Sequence, residues 1–279
     1  MGWSTGTDLD GHRHMVAEYL AADPVECTSQ ATILMTLASG VRWSDTPPVF
    51  AVHHGPDGRV DATALTTPPH PLMLDGAADP VGLVEALGEL PLPGVNAPEP
   101  AAAAFAAAWS ARHGTDVEPD DRLHLLELST LGALVDPPAP VDAQVRPAAP
   151  ADLPVVVDLI AAMRAEIGER GESPVQIVRD RIDAGLLFVV ERGGELVATA
   201  NASVAVAGMS RVAGVYTVPT ERGRGCAATV TAAVTRAAFV VGARQLCLFT
   251  DAANPTSNGV YERLGYRRRP HDRVVLRFR

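Results

Sequence analysis

Lysine is missing from this chain: all 23 basic residues are arginine. A phosphate-loop lysine, a Schiff-base lysine and a lysine general base are therefore excluded, and with them P-loop NTPases and pyridoxal-dependent enzymes. Cysteine is scarce. Cys27, Cys226 and Cys247 form no CxxC pair and stand at no metal-ligand spacing from a histidine, so no metal is expected and the compartment reads as reducing and cytoplasmic. Long apolar runs are also lacking. No stretch approaches the roughly 18 residues a membrane span requires, and the start, MGWSTGTDLDGHRHM, has no apolar h-region, so a soluble protein without membrane partners is expected. Positive charge is short as well. A formal net charge of −10 repels phosphate backbones and argues against nucleic acid as the main partner.

What is present is a chain of 279 residues, 47% hydrophobic, long enough for two cores of ordinary domain size. Pro137, Pro138 and Pro140 fall in LVDPPAPVDA, which can hold neither helix nor central strand. The expected division is a domain over 1–136, a linker over 137–143 and a domain over 144–279. The two sides look like distant copies. FAVHHGPDGRVDATA from Phe50 and FVVERGGELVATA from Phe188 both read as strand, turn, strand and end in Ala-Thr-Ala. Spacing between later landmarks is not constant, so chance similarity in an Ala/Val-rich chain stands beside the repeat.

Periodicity in the second half predicts a short strand at 145–147, amphipathic helices over 153–167 and 175–184, and a hairpin over 187–191 and 196–204. A strand over 212–218, a helix over 225–242, a strand over 245–250, a helix over 255–264 and a strand over 274–278 follow. The expected class is α/β (α+β), with mixed sheets flanked by helices.

Between strand and helix lies VPTERGRGCAAT, Val218 to Thr229. Glycines at the start of a helix let a ligand approach backbone N–H groups, and the first turn carries unpaired donors and the positive end of the dipole. An anion belongs here, most naturally a pyrophosphate. Gly223 to Ala228 also satisfies the dinucleotide pattern G-x-G-x-x-A, but Pro219 to Arg222 separates it from the strand and the remaining chain is too short for a βαβαβ half.

The loop resembles that of the GCN5-related N-acetyltransferase (GNAT) superfamily, Q/R-x-x-G-x-G/A, with Arg222, Gly225 and Ala227 in the defined places. A second motif of that superfamily is matched by Asn254, Pro255, Ser257, Tyr261, Gly265 and Tyr266. The resemblance covers the second half, while the first half looks like a degenerate copy whose LDGAADPVGLVEAL lacks the loop. It implies tandem GNAT-like domains, each a mixed, mostly antiparallel twisted sheet, with acetyl-CoA as acyl-donor cosubstrate and an amine as acceptor. Coenzyme would meet the backbone of Tyr216, Thr217 and Val218, the loop residues Arg222, Gly223, Arg224, Gly225, Cys226, Ala227 and Ala228, and then Asn254, Ser257 and Tyr261. The thioester would sit where strand 212–218 splays from strand 245–250. Only one coenzyme is expected, in a monomer or homodimer.

Acetyl transfer needs a neutral amine, a polarised carbonyl and a proton for the leaving thiolate. Tyr261 is the family's usual acid, and it lies nearly two helical turns from Asn254, on one face. It also reads as an ordinary core aromatic, and Asn254 before Pro255 as an ordinary N-cap. No carboxylate lies on RVAGVYTV, so the base is left to Glu166, Glu169, Asp251 or a water relay. Cys226 at a helix start invites a nucleophilic reading, although coenzyme would cover it. Arg267 to Arg269 reads as the solvated start of an edge strand. A longer acyl donor, or a binding protein without turnover, stays open as the alternative.

Overall fold

The two stretches that resemble each other, from Phe50 and from Phe188, fold the same way. The structure is a computed structural model and describes residues 2–168 and 175–279. In chain order the first elements are β1 (Gly2–Gly6), α1 (Leu9–Ala22), α2 (Thr28–Ala38), β2 (Val49–His54), β3 (Val60–Thr66), β4 (Leu72–Asp75), α3 (Pro80–Leu87), β5 (Gly94–Pro98), α4 (Glu99–His113) and β6 (Val117–Leu128). Strands β1 to β5 pair in sequence order, antiparallel except for the parallel pair β4–β5. Alternation along β2 serves two cores. Phe50 and Val52 join Val16, Leu34 and Leu37 of α1 and α2, whereas Ala51 turns to a cluster with Leu83, Val84, Phe105 and Trp109 of α3 and α4.

The later elements are β7 (Ala143–Pro147), α5 (Leu153–Glu166), α6 (Val175–Asp183), β8 (Leu187–Arg192), β9 (Glu195–Ala202), β10 (Met209–Thr217), α7 (Cys226–Val240), β11 (Gln245–Asp251), α8 (Pro255–Arg263) and the two-residue β12 (Arg267–Arg268). Strands β7 to β11 again pair in sequence order, antiparallel except for the parallel pair β10–β11. Val230, Val234 and Ala238 of α7 pack with Val190, Ala198 and Val212. Val156, Ile160, Val178 and Ile182 of α5 and α6 cover Leu187 and Val189 on the other face. Each unit is thus a mixed, mostly antiparallel sheet flanked by helices. The shared Ala-Thr-Ala has one job in both: Thr63 Oγ1 donates to Ala51 O at 3.2 Å and Thr199 Oγ1 to Phe188 O at 3.3 Å, across equivalent hairpins.

The last strand departs from the expected division. β13 (Arg273–Phe278) pairs antiparallel with both β5 and β6, and Val274 joins the cluster around Phe105. Residues up to Leu125, with Asp251–Ala253 and Arg269–Arg279, form one compact unit; Leu126–Thr250 and Asn254–Arg268 form the other. The prolines do interrupt regular structure, since no helix or strand lies between Ala133 and Ala143. Chain order and compactness part because strand pairing is non-local. The Arg267–Arg269 reading holds for its first two residues, which are exposed in a strand paired with Glu127 and Leu126 of β6, but Arg269 forms an ion pair with Asp23 and the strand that follows is interior. Among the described residues no helix is long and apolar enough to cross a membrane.

Candidate active site

The site begins where a ladder stops. β10 and β11 pair in parallel from Met209/Gln245 to Val212/Leu248, and the register ends there, leaving Ala213–Thr217 splayed from the end of β11. On its other side β10 stays paired with β9, but with a register shift between Ala213 and Tyr216. Gly214 carries this β-bulge at φ 62°, and a Cβ there would stand 2.4 Å from Asn201 Nδ2. Val218 N–H donates to Val197 O at 2.9 Å, so this member of the expected coenzyme-binding triplet has its donor committed. Alternation turns Thr217 N–H to the unpaired side.

After the strand, Pro219–Glu221 make a 3₁₀ turn, and Gly223 and Gly225 take positive φ of 76° and 85°. Gly225 is the N-cap of α7 and no side chain caps the helix. Thr229 N–H is the first to reach back, to Gly225 O at 3.0 Å, so the N–H groups of Cys226, Ala227 and Ala228 have no partner within the helix. A Cβ on Gly223 would meet nothing within 4 Å, and one on Gly225 only Pro138 O at 3.9 Å. The surface above these donors is open. Cys226 offers only its N–H: its side chain is buried in the core with Val230, and burial pushes the thiol pKa up. That burial removes the nucleophilic reading.

Arg222 is engaged on both sides. Its Nε donates to Thr217 O at 3.0 Å, its Nη2 meets Glu166 Oε2 at 2.6 Å, and its guanidinium lies 5.6 Å from the Tyr216 ring centroid. The buried Tyr216 donates its hydroxyl to Glu166 Oε1 at 2.8 Å. The phenol first and the guanidinium second hold the Glu166 carboxyl below the usual carboxylate range, which makes it a poor base as it stands. Arg224 Nε is 3.5 Å from Glu221, which also takes Arg192 Nη1 at 2.7 Å. Arg192 was missed by sequence reading; it ends a hairpin strand far along the chain and no motif marks it.

Asn254 Oδ1 accepts Ser257 N–H at 3.1 Å and Pro255 opens the helix, so the N-cap expectation is met in geometry. Tyr261 is 8% exposed and shares the core with Val212 and Leu248, the last paired residues before the splay. Its ring meets Tyr266 edge-on at 6.3 Å. The two phenols differ: Tyr266 hydrogen-bonds Thr235 at 2.7 Å, whereas the Tyr261 hydroxyl has no hydrogen bond among the described residues. Burial pushes the Tyr261 pKa up to about 12, so the phenol keeps its proton at neutral pH. Of the other carboxylates named as base, Asp251 Oδ1 accepts Ala253 N–H at 2.7 Å and Glu169 lies outside the described residues. No cluster able to hold a metal occurs among the described residues.

An open, glycine-lined helix N-terminus beside splayed parallel strands suits an acyltransferase that draws its acyl group from a phosphate-bearing carrier. The model of the acetyltransferase (GNAT) family matches residues 155–266, within the second half of the chain. Solved structures share the fold. A GCN5-related N-acetyltransferase from Kribbella flavida is 22% identical, with a TM-score of 0.58 over 78% of this chain and 86% of its own. Another from Sphaerobacter thermophilus is 16% identical, with a TM-score of 0.63 over 99% of this chain and 95% of its own. A tandem GNAT protein from the clavulanic acid biosynthesis pathway, solved without AcCoA, is 13% identical, with a TM-score of 0.59 over 99% of this chain and 98% of its own. No curated protein matches the chain.

Proposed function

We propose that the protein transfers the acetyl group of acetyl-CoA to a primary amine of a small molecule or peptide. The observation that carries this reading is the uncapped start of α7, with Gly223 and Gly225 open above it and the β10–β11 splay next to it. The N–H groups of Cys226, Ala227 and Ala228 would hold the diphosphate, with Arg222 and Arg224 as counter-charges. Thr217 N–H faces the side where the pantetheine arm would lie, and Asn254 and Ser257 open the helix that borders it. The amine nitrogen, once deprotonated, forms a bond to the thioester carbon, and the C–S bond breaks. Tyr261 gives its proton to the departing sulfur, and the proton the nitrogen sheds on becoming an amide restores the phenol. The acidic balance of the chain favours a cationic acceptor by steering. Turnover of acetyl-CoA with a panel of amines tests the reading. Binding of CoA without turnover on any amine, and unchanged in Tyr261→Phe, would replace it by the binding-protein alternative.

We further propose that the first unit is a degenerate copy that holds no coenzyme, because its own side chains fill the equivalent places. Asp79 caps α3, its Oδ1 accepting Gly82 N–H at 2.9 Å, where the second unit leaves its helix start open. β4–β5 pairing ends at Met73/Asn96, and the Arg273 guanidinium enters beyond it, donating to Leu74 O and Asn96 O at 3.2 Å each. Titration with acetyl-CoA is expected to give one site per chain; two sites would refute the assignment.

A further inference from the structure

The arginine best placed to meet a diphosphate is already occupied by a carboxylate of the same unit. Arg222 lies three residues before the N-cap of α7, and its Nε bond to Thr217 O keeps the guanidinium beside the loop whatever its other end does. That other end holds Glu166 Oε2 at 2.6 Å. Glu166 stands in the last turn of α5, and its second oxygen receives the hydroxyl of Tyr216 from the splayed part of β10. One carboxylate thus bridges the phosphate loop and the strand along which the acyl group would lie.

We propose that Glu166 is a latch: the coenzyme diphosphate displaces it from Arg222, and the freed carboxylate, still held by Tyr216, then receives the ammonium of the acceptor. The inference rests on the acetyl-CoA reading. A diphosphate carries more negative charge than a carboxylate and also gains the N–H groups of α7, so it outcompetes Glu166 for the guanidinium. Once that cation is shared with phosphate, the carboxylate oxygen that Arg222 had occupied is left to meet the ammonium, while the Tyr216 hydroxyl holds the other. Before coenzyme arrives, Arg222 neutralises the carboxylate that a cationic amine would seek. The absence of a carboxylate on β10 is then no defect, since Tyr216 brings one in from α5.

The test uses the full chain, with CoA itself as the probe. Calorimetric titration of wild type, Glu166→Gln and Glu166→Ala at low ionic strength is expected to show CoA bound about two- to fivefold more tightly by both variants, the scale of one exposed ion pair removed from competition. The difference should shrink as salt is raised. In steady-state kinetics with acetyl-CoA, the same variants should lose roughly tenfold or more in kcat/KM for the amine. The Glu166 side chain is 43% exposed, and thermal melts should move little. CoA affinity equal to wild type or weaker in both variants overturns the latch and leaves the acetyl-CoA reading intact. Tighter CoA with unchanged kcat/KM for the amine also overturns it, by removing the second role of the carboxylate. Failure of the wild type to bind CoA would instead overturn the reading beneath it.

Discussion

The corner between β4 and α3 and the corner between β10 and α7 repeat one design, a strand, a loop, a helix and then a parallel partner strand. They differ in what completes them. In the first unit a carboxylate, Asp79, occupies the positive end of the helix, and Arg273 saturates carbonyls from both splayed strands while pairing with Asp75 at 2.8 Å and with Asn96 Oδ1 at 2.7 Å. In the second unit the helix starts on a glycine without a side-chain cap, and Arg222 Nε meets one carbonyl of the splayed part of β10, Thr217 O, at 3.0 Å. The comparison teaches that the fold itself creates unsatisfied donors and acceptors at this corner. The first unit satisfies them with its own side chains, whereas the first turn of α7 in the second has no side-chain cap.

The comparison breaks most severely at Arg273. It is 3% exposed and Asp75 is fully buried, so Arg273→Ala strands a carboxylate with Asn96 and two carbonyls unmatched. A loss of about 3–5 kcal/mol of stability is expected, read by chemical denaturation. An unchanged midpoint would show that the plug is ornamental. Installing the first unit's device in the second is the next largest step. Gly225→Asp puts a carboxylate at the N-cap of α7, as Asp79 does for α3, although the positive φ of 85° at Gly225 adds some backbone strain. CoA affinity should fall by roughly a hundredfold with the fold intact, because the charge sits where the diphosphate belongs. Undiminished binding by calorimetry would remove this corner from the site.

The two tyrosines sharpen the comparison further. Tyr261→Phe removes a hydroxyl that makes no hydrogen bond among the described residues, so stability and CoA affinity should hold while kcat drops by roughly ten- to a thousandfold. Tyr266→Phe removes the partner of Thr235 and should do the reverse, costing about 1 kcal/mol in a thermal melt with turnover retained. A destabilised Tyr261→Phe with normal turnover would reverse the assignments. The smallest expected effect is at Asp79. Asp79→Ala uncaps α3 for about 1 kcal/mol, and because Arg273 still fills the splay, CoA stoichiometry should stay at one per chain.

Local regularities carried much of this architecture into the sequence. Apolar spacing places α5 over 153–167 and α7 over 225–242 against observed spans of Leu153–Glu166 and Cys226–Val240, and Gly223, Gly225 and Asn254-Pro255 mark backbone positions whose chemistry is intrinsic to those residue types. The start of β10 at Met209 escaped because Met209-Ser210-Arg211 shows no alternation; its pairing with Gln245–Cys247 of β11 makes it strand. Tertiary structure alone decided what depends on partners distant in sequence. That β13 returns to the first unit, that Arg273 plugs its splay, that Arg192 neutralises Glu221 and that Glu166 bridges Arg222 and Tyr216 are outcomes of packing between segments. Periodicity and motif spacing report a residue's own neighbourhood along the chain, whereas an ion pair or an exchanged strand is selected by which distant groups the completed core brings within reach.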